Sequence, residues 1–206
     1  MAVLLIQGII VIFKRMKFGI YGGSFDPVHR GHLLVAQAAV EELELDRIFF
    51  IPAAQSPFKP ANRLEAGAIR LRLLRLALAG NTRAEVDDEE IRRGGVSYTV
   101  DTLRSFAARF PGAKLFYLIG ADNVAKLNEW REPTELARLA EFVVIPRPGE
   151  PPVNFPEPFR GRRLKGFPMG ISSSEIRRRL KDGLTVEHLM PDAVADTIRA
   201  AGIYRA

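Results

Sequence analysis

The sequence predicts an α/β fold: an open parallel sheet with helices on both faces and a small helical C-terminal portion. Three observations carry this. Short apolar, β-rich runs alternate with helical periodicity, the pattern of strand–helix–strand units. Between the first such run and the first helix lies Gly22-Gly23-Ser24, where backbone without Cβ can approach a ligand closely. Two stretches, 52–64 and 147–162, hold prolines and turn formers without any period, as functional loops over the strand ends of such sheets do. The arrangement is Rossmann-like.

In chain order, strands are expected at 17–21, 47–51, 84–86, 114–119 and 142–146, with a weaker one at 163–165. Leu115 to Ile119 is apolar throughout, which suits a strand buried on both faces. Helices are expected at 31–43, 65–79, 99–110, 121–127, 134–140, 173–181 and 192–201. Gly112 and Gly183 stand just past helical runs, where helices stop. Pro111 reinforces the first stop, because it cannot continue a helix.

A chain of 206 residues suits one domain with a substantial core, expected to span 16–206. The segment before it is different. Residues 2–13 are almost wholly apolar, with Lys14 and Arg15 after them. A membrane-spanning helix needs ~20 apolar residues, and a secretory signal carries its positive charge ahead of the apolar run. Met16-Lys17-Phe18 reads as the natural start of a strand, so residues 1–15 are expected to be a dispensable extension or start-site artefact. No membrane association is expected.

Hydrophobic content of 47% and charged content of 26% are ordinary for a globular protein. Cysteine is absent, which excludes disulfides and thiolate sites and fits a reducing cytoplasm. A net charge of +6 suits an acidic partner. The arginines are scattered over several helices without a long block, favouring small phosphate-bearing molecules over nucleic acid. Self-association is left open.

The most informative stretch is Gly22-Gly23-Ser24-Phe25-Asp26-Pro27-Val28-His29-Arg30-Gly31-His32. It is a strand end, a glycine turn and a helix start. Free N–H groups and the macrodipole at a helix start attract anions. His29 and His32, three apart, share a face of the first turn. A zinc site is not expected, since two histidines without cysteines lack the remaining ligands. Neither a GxGxxG fingerprint nor a GxxxxGK[ST] loop occurs, so phosphate binding must rest on the histidine turn. Pro27 and Asp26 read as structural supports of that turn.

A second anion site is legible near the C-terminus. Ser172 and Glu175 form a capping box, and a capped helix start is itself an anion site. Ser173 and Ser174 add hydroxyl donors, and Arg177 a forked cation for phosphate. Asp122, after the 114–119 strand, suits either ribose hydroxyls or a helix N-cap. Trp130, the single tryptophan, suits either a core anchor or a stacking platform at a loop. Tyr98 and Thr99 head a helix, and Arg147 suits either a phosphate clamp or a rim charge.

The histidine turn resembles the signature of the HxGH nucleotidylyltransferases, and Gly170-Ile171-Ser172-Ser173-Ser174-Glu175-Ile176-Arg177 is similar to that superfamily's C-terminal phosphate motif. With Ser97-Tyr98-Thr99, Gly120-Ala121-Asp122, Glu129-Trp130 and Pro146-Arg147-Pro148-Gly149, residues 17–204 resemble the bacterial nicotinate-nucleotide adenylyltransferase family. The resemblance implies ATP and nicotinate mononucleotide as partners and Mg²⁺ as the ion accompanying ATP. It implies that His32 contacts the α-phosphate in the transition state, His29 holds the polyphosphate, and Arg177 assists. It places Gly22, Gly23, Ser24, Phe25, Gly120, Asp122, Ser172, Ser173 and Ser174 around ATP, and Lys59, Tyr98, Thr99, Trp130 and Arg147 around the acceptor. Another acceptor, phosphopantetheine or nicotinamide mononucleotide, is the alternative within the superfamily; a non-catalytic nucleotide- or RNA-binding regulator is the alternative outside it. One departure stands out: the family shows Pro-Pro-His before a basic residue, whereas this chain has Ser56-Pro57-Phe58-Lys59.

Overall fold

The computed structural model describes residues 2–6, 9–13, 15–57 and 64–205. Strands β1 (Ala2–Ile6) and β2 (Ile9–Phe13) pair antiparallel as a separate two-stranded sheet. The main sheet contains β3 (Lys17–Gly23), β4 (Arg47–Pro52), β5 (Ala84–Val86), β6 (Lys114–Gly120), β7 (Ala140–Ile145) and β8 (Gly161–Arg163). All its pairings are parallel, in the spatial order β5-β4-β3-β6-β7-β8. Counted from β3 as the first strand, this is the doubly wound order 3-2-1-4-5-6, whose direction reverses between β3 and β6.

Eight helices flank it among the described residues: α1 (Arg30–Glu42), α2 (Gly67–Ala77), α3 (Glu89–Arg93), α4 (Thr99–Arg109), α5 (Ala121–Val124), α6 (Pro133–Leu139), α7 (Ser173–Lys181) and α8 (Asp192–Ala201). Successive strand residues point to opposite faces. On β4, Ile48 and Phe50 therefore join the apolar cluster of α1, α2, α7 and α8, while Phe49 and Ile51 join that of α4 and α6. Burial on both faces explains why these strands read as continuous apolar runs.

Differences from the expected elements have local causes. The last strand is 161–163, two residues early: it is a short edge strand whose Arg162 pairs with Glu141 at 2.5 Å. Charge on an edge protects it from further pairing and masks its period. The helix expected at 121–127 ends at Val124, and a separate 3₁₀ turn covers Leu127–Glu129. The short α3 has no apolar repeat; it is acidic at its start and basic at its end, as the helix dipole favours. Strands β1 and β2 were likewise not anticipated. Gly183 does stop α7: at φ +69 it lets the Leu184 N–H reach Arg179 O at 2.8 Å. Among the described residues, no helix is long and apolar enough to cross a membrane.

We propose that residues 16–206 form the working domain and that 1–15 are dispensable. Among the described residues, the side-chain ties from that segment are both exposed and both from Arg15, Nε donating to Gly112 O at 2.7 Å and Nη2 to Ala113 O at 3.5 Å, the shorter a bond of ~1 kcal/mol. A chain lacking residues 1–15 is expected to keep its solubility, activity and, to within that amount, its stability. Thermal unfolding and an activity assay check this.

Candidate active site

Strand β3 runs directly into the histidine turn. A Cβ on Gly22 would lie 2.7 Å from the Tyr117 hydroxyl on β6, so a side chain here would have to displace that hydroxyl from the sheet's reversal point. Phe25 then adopts φ +47, and the Asp26-Pro27 bond is cis. The Phe25 ring is buried against Tyr21, Phe50 and His32, with centroids 5.4, 5.5 and 4.9 Å away. Beneath the turn lies Arg70, 2% exposed, donating through Nη1 to Ser24 O at 2.8 Å and through Nε to Glu65 O at 2.9 Å. Asp26 is buried too; its Oδ1 accepts from the Tyr204 hydroxyl at 2.6 Å and from Glu65 N at 3.3 Å.

The serine helix is fastened to the same turn. Ser173 Oγ donates to Pro27 O at 2.9 Å, and Arg177 Nη1 to Asp26 O at 2.6 Å. Ser172 Oγ caps α7 by accepting from Glu175 N at 3.2 Å. Ser174 Oγ accepts from Arg177 Nη2 at 3.4 Å. The hydroxyl hydrogens of Ser172 and Ser174 are thus available for a ligand, whereas that of Ser173 is engaged. Two helix openings, those of α1 and α7, meet edge to edge.

His29 occupies the cap position of α1 and His32 its third residue. Their rings stack with centroids 3.7 Å apart at 30°. The His29 backbone N–H donates to His32 Nδ1 at 3.2 Å, so neutral His32 carries its hydrogen on Nε2 and can donate there. Burial pushes the His29 imidazole down to about 4. It also holds His32 well below the ordinary range, helped by the neighbouring His29. His29 Nδ1 is buried without a hydrogen-bond partner among the described residues; a buried polar atom of that kind calls for one.

These groups line a cleft of about 720 Å³ at the carboxyl ends of the central strands. One wall carries Gly22, Gly23, Ser24, Phe25, His29 and His32; the facing wall carries Ser172, Ser173, Ser174 and Arg177. Gly120 and Asp122, where β6 exits, and Arg147, where β7 exits, line it as well. Asp122 is the second residue of α5, and Gly120 holds the cap position, so the carboxylate is not the cap. It is exposed, 3.9 Å from Arg147 Nη1. Tyr98 and Thr99 do not reach the main cleft. They line a smaller pocket of about 90 Å³ beside it, and Trp130 lines both. Trp130 is half-buried, edge-on to Tyr117 with centroids 6.1 Å apart. Thr99 Oγ1 donates to the Tyr117 hydroxyl at 3.2 Å. Lys59 and Phe58 lie outside the described residues. Arg70, Tyr117 and Tyr204 were not anticipated; only Arg70 carried a signal, sharing the i, i+3, i+4 face of Leu73 and Leu74.

Residues 20–179 match the cytidylyltransferase-like family. Curated relatives carry the name "probable nicotinate-nucleotide adenylyltransferase". One from Opitutus terrae is 42% identical, covering 92% of this chain and 98% of the relative. One from Thermus thermophilus is 44% identical, covering 92% and 100%. The chain belongs to the nicotinate-nucleotide adenylyltransferase family. Among solved structures, the nicotinic acid mononucleotide adenylyltransferase of Plasmodium falciparum complexed with NaAD superposes with a TM-score of 0.76 at 19% identity, covering 92% of this chain and 98% of that one. It shares the fold.

In this member of the adenylyltransferase family, the buried imidazoles make stability depend on pH. The folded state binds their protons more weakly than the unfolded chain, whose imidazoles titrate near ~6.5. Acid therefore favours unfolding: the stabilisation is full above that value and is lost as pH falls towards the folded value. The melting temperature is expected to drop between about pH 6.5 and 4, and His29→Gln is expected to flatten that drop. Parallel pH curves for the two proteins would contradict the burial-driven shift.

Proposed function

We propose that this chain transfers the adenylyl group of ATP to nicotinate mononucleotide, giving nicotinic acid adenine dinucleotide and pyrophosphate. The observation that carries the reading is the stacked His29–His32 pair facing the α7 opening across a cleft at the sheet's reversal point. The cleft lies within the usual range for a small-ligand site. An acceptor phosphate oxygen attacks the α-phosphorus in line; the bond to the bridging oxygen breaks, and pyrophosphate leaves with that electron pair. Little covalent chemistry falls to the protein, so positioning and charge stabilisation dominate.

The geometry supports distinct roles. His32, with hydrogen on Nε2, donates to an α-phosphate oxygen, and the His29 imidazole stacked beside it holds the polyphosphate. The backbone of Gly22, Gly23, Ser24 and Phe25 cradles the nucleotide. Ser172, Ser174 and Arg177 receive the β- and γ-phosphates, with Ser173 fixing α7 against the turn. Gly120 and Asp122 meet the ribose. Helix α4 opens at Thr99, so its first N–H groups lack helical acceptors and suit a carboxylate. That favours nicotinate over the uncharged amide. Trp130 stacks on the pyridine ring, Tyr98 borders it, and Arg147 and Lys59 take the acceptor phosphate.

Magnesium enters with ATP on this reading. Among the described residues no cluster of three or more His, Asp or Glu side chains forms a metal cage, which fits an ion held by phosphate oxygens and water. Bound there, Mg²⁺ would neutralise polyphosphate charge. We place the reaction in the cytoplasm, with small molecules as partners and neither nucleic acid nor membrane involved.

Purified protein given ATP with each of nicotinate mononucleotide, nicotinamide mononucleotide and phosphopantetheine is expected to release pyrophosphate fastest with the first. Preference for another would reassign the acceptor. Salt-sensitive RNA binding without pyrophosphate would make the chain a regulator. His32→Ala is expected to lower kcat by ~10²–10³, as loss of one transition-state donor does, with a smaller change in KM; unchanged turnover removes the assignment.

A further inference from the structure

We propose that Tyr204, outside the cleft, is a positioning residue for adenylyl transfer: its hydroxyl holds the Asp26 carboxylate and so keeps the Arg177 guanidinium turned towards the phosphates. This rests on the function proposed above.

The geometry places Asp26 between competing donors. Arg177 makes its short contact, 2.6 Å, with the Asp26 main-chain oxygen; the side-chain oxygen Oδ2 is 3.8 Å away. The other carboxylate oxygen, Oδ1, is taken by the Tyr204 hydroxyl at 2.6 Å and by Glu65 N at 3.3 Å. Arginine and carboxylate otherwise close into a two-pronged pair. Such a pair would draw both arms of Arg177 onto Asp26, including the arm now resting on Ser174 Oγ. By occupying Oδ1, the tyrosine prevents that collapse. Asp26 is 2% exposed, so with Tyr204 in place solvent does not compete for Oδ1.

Two further features show that the contact is built rather than incidental. Tyr204 has φ +66, and Phe25, which precedes Asp26, has φ +47. Side chains rarely adopt this region, and they persist there only where the surroundings impose it. Tyr204 is thus itself held in a strained conformation, and Asp26 directly follows a strained residue. Helix α8 sets the tyrosine's approach, with Val194, Ala195 and Ile198 buried in the core shared with α2. Burial and the adjacent carboxylate raise the phenol's pKa above its ordinary range, so the oxygen remains a donor.

The test uses the full chain and Tyr204→Phe, which removes one oxygen and keeps the ring. Affinity for magnesium–ATP without acceptor, kcat, and KM for each substrate are measured in the wild type, Tyr204→Phe, Arg177→Ala and the double variant, below the melting midpoint of each. Tyr204→Phe is expected to weaken ATP binding and lower kcat about tenfold, the size of one charged hydrogen bond, leaving acceptor KM unchanged. In the Arg177→Ala background it is expected to do nothing more, because the two residues act as one unit. Adding Asp26→Asn to Tyr204→Phe is expected to restore ATP affinity by removing the charge that captures Arg177. Wild-type values for Tyr204→Phe, or losses that multiply in the double variant, overturn the proposal. A wild type that binds ATP but releases no pyrophosphate would overturn the functional reading instead, and the ATP affinities would still decide the role of Tyr204.

Discussion

Two main-chain oxygens hold this site together. Those of Asp26 and Pro27 accept from Arg177 and Ser173, residues 151 and 146 positions further along the chain. The turn cannot satisfy these carbonyls within itself, and a buried carbonyl without a partner is unfavourable by ~1–3 kcal/mol. The serine helix supplies the missing donors, and doing so fixes its opening against that of α1. A phosphate between them meets two helix starts at once.

The same turn depends on what lies beneath it. Arg70 is a cation almost without solvent, satisfied by the Ser24 and Glu65 carbonyls. A buried guanidinium is stable only with such partners, so the loop and the arginine hold each other in place. Above it, Phe25 and Tyr21 pack on the His32 ring, and burial favours the neutral form of both imidazoles. Uncharged imidazoles can lie 3.7 Å apart; two imidazolium ions at that separation would repel.

Much of this was legible in the residues, for identifiable reasons. The central strands are buried on both faces, so their apolar runs stand out, and β5 falls at 84–86 as expected. The histidine turn and the Ser172 cap declare themselves through residue types that helix starts require, although the Glu175 carboxylate pairs with Arg178 and so leaves the expected capping box half formed. What escaped was set by distant contacts. The edge strand β8 is marked by arginines rather than by a period. Tyr204 becomes informative only once α8 brings it to Asp26. Tyr98 and Thr99 line a side pocket that shares Trp130 with the main cleft, a placement that a linear sequence does not locate. Arg70 is the instructive case: a cation on an apolar helix face was visible, and its burial explains it.

The reversal of strand order between β3 and β6 has a consequence for how such a cleft can diversify. Elements after β3, together with α7, build the two walls with the histidines and serines, while elements after β6 build the part with Asp122 and Trp130, beside which α4 opens. The halves share a floor but few side chains. On the proposed reading, selectivity for the second substrate can drift through substitutions in one half while the triphosphate machinery in the other stays untouched. A single scaffold can thereby serve a series of related dinucleotide-forming reactions.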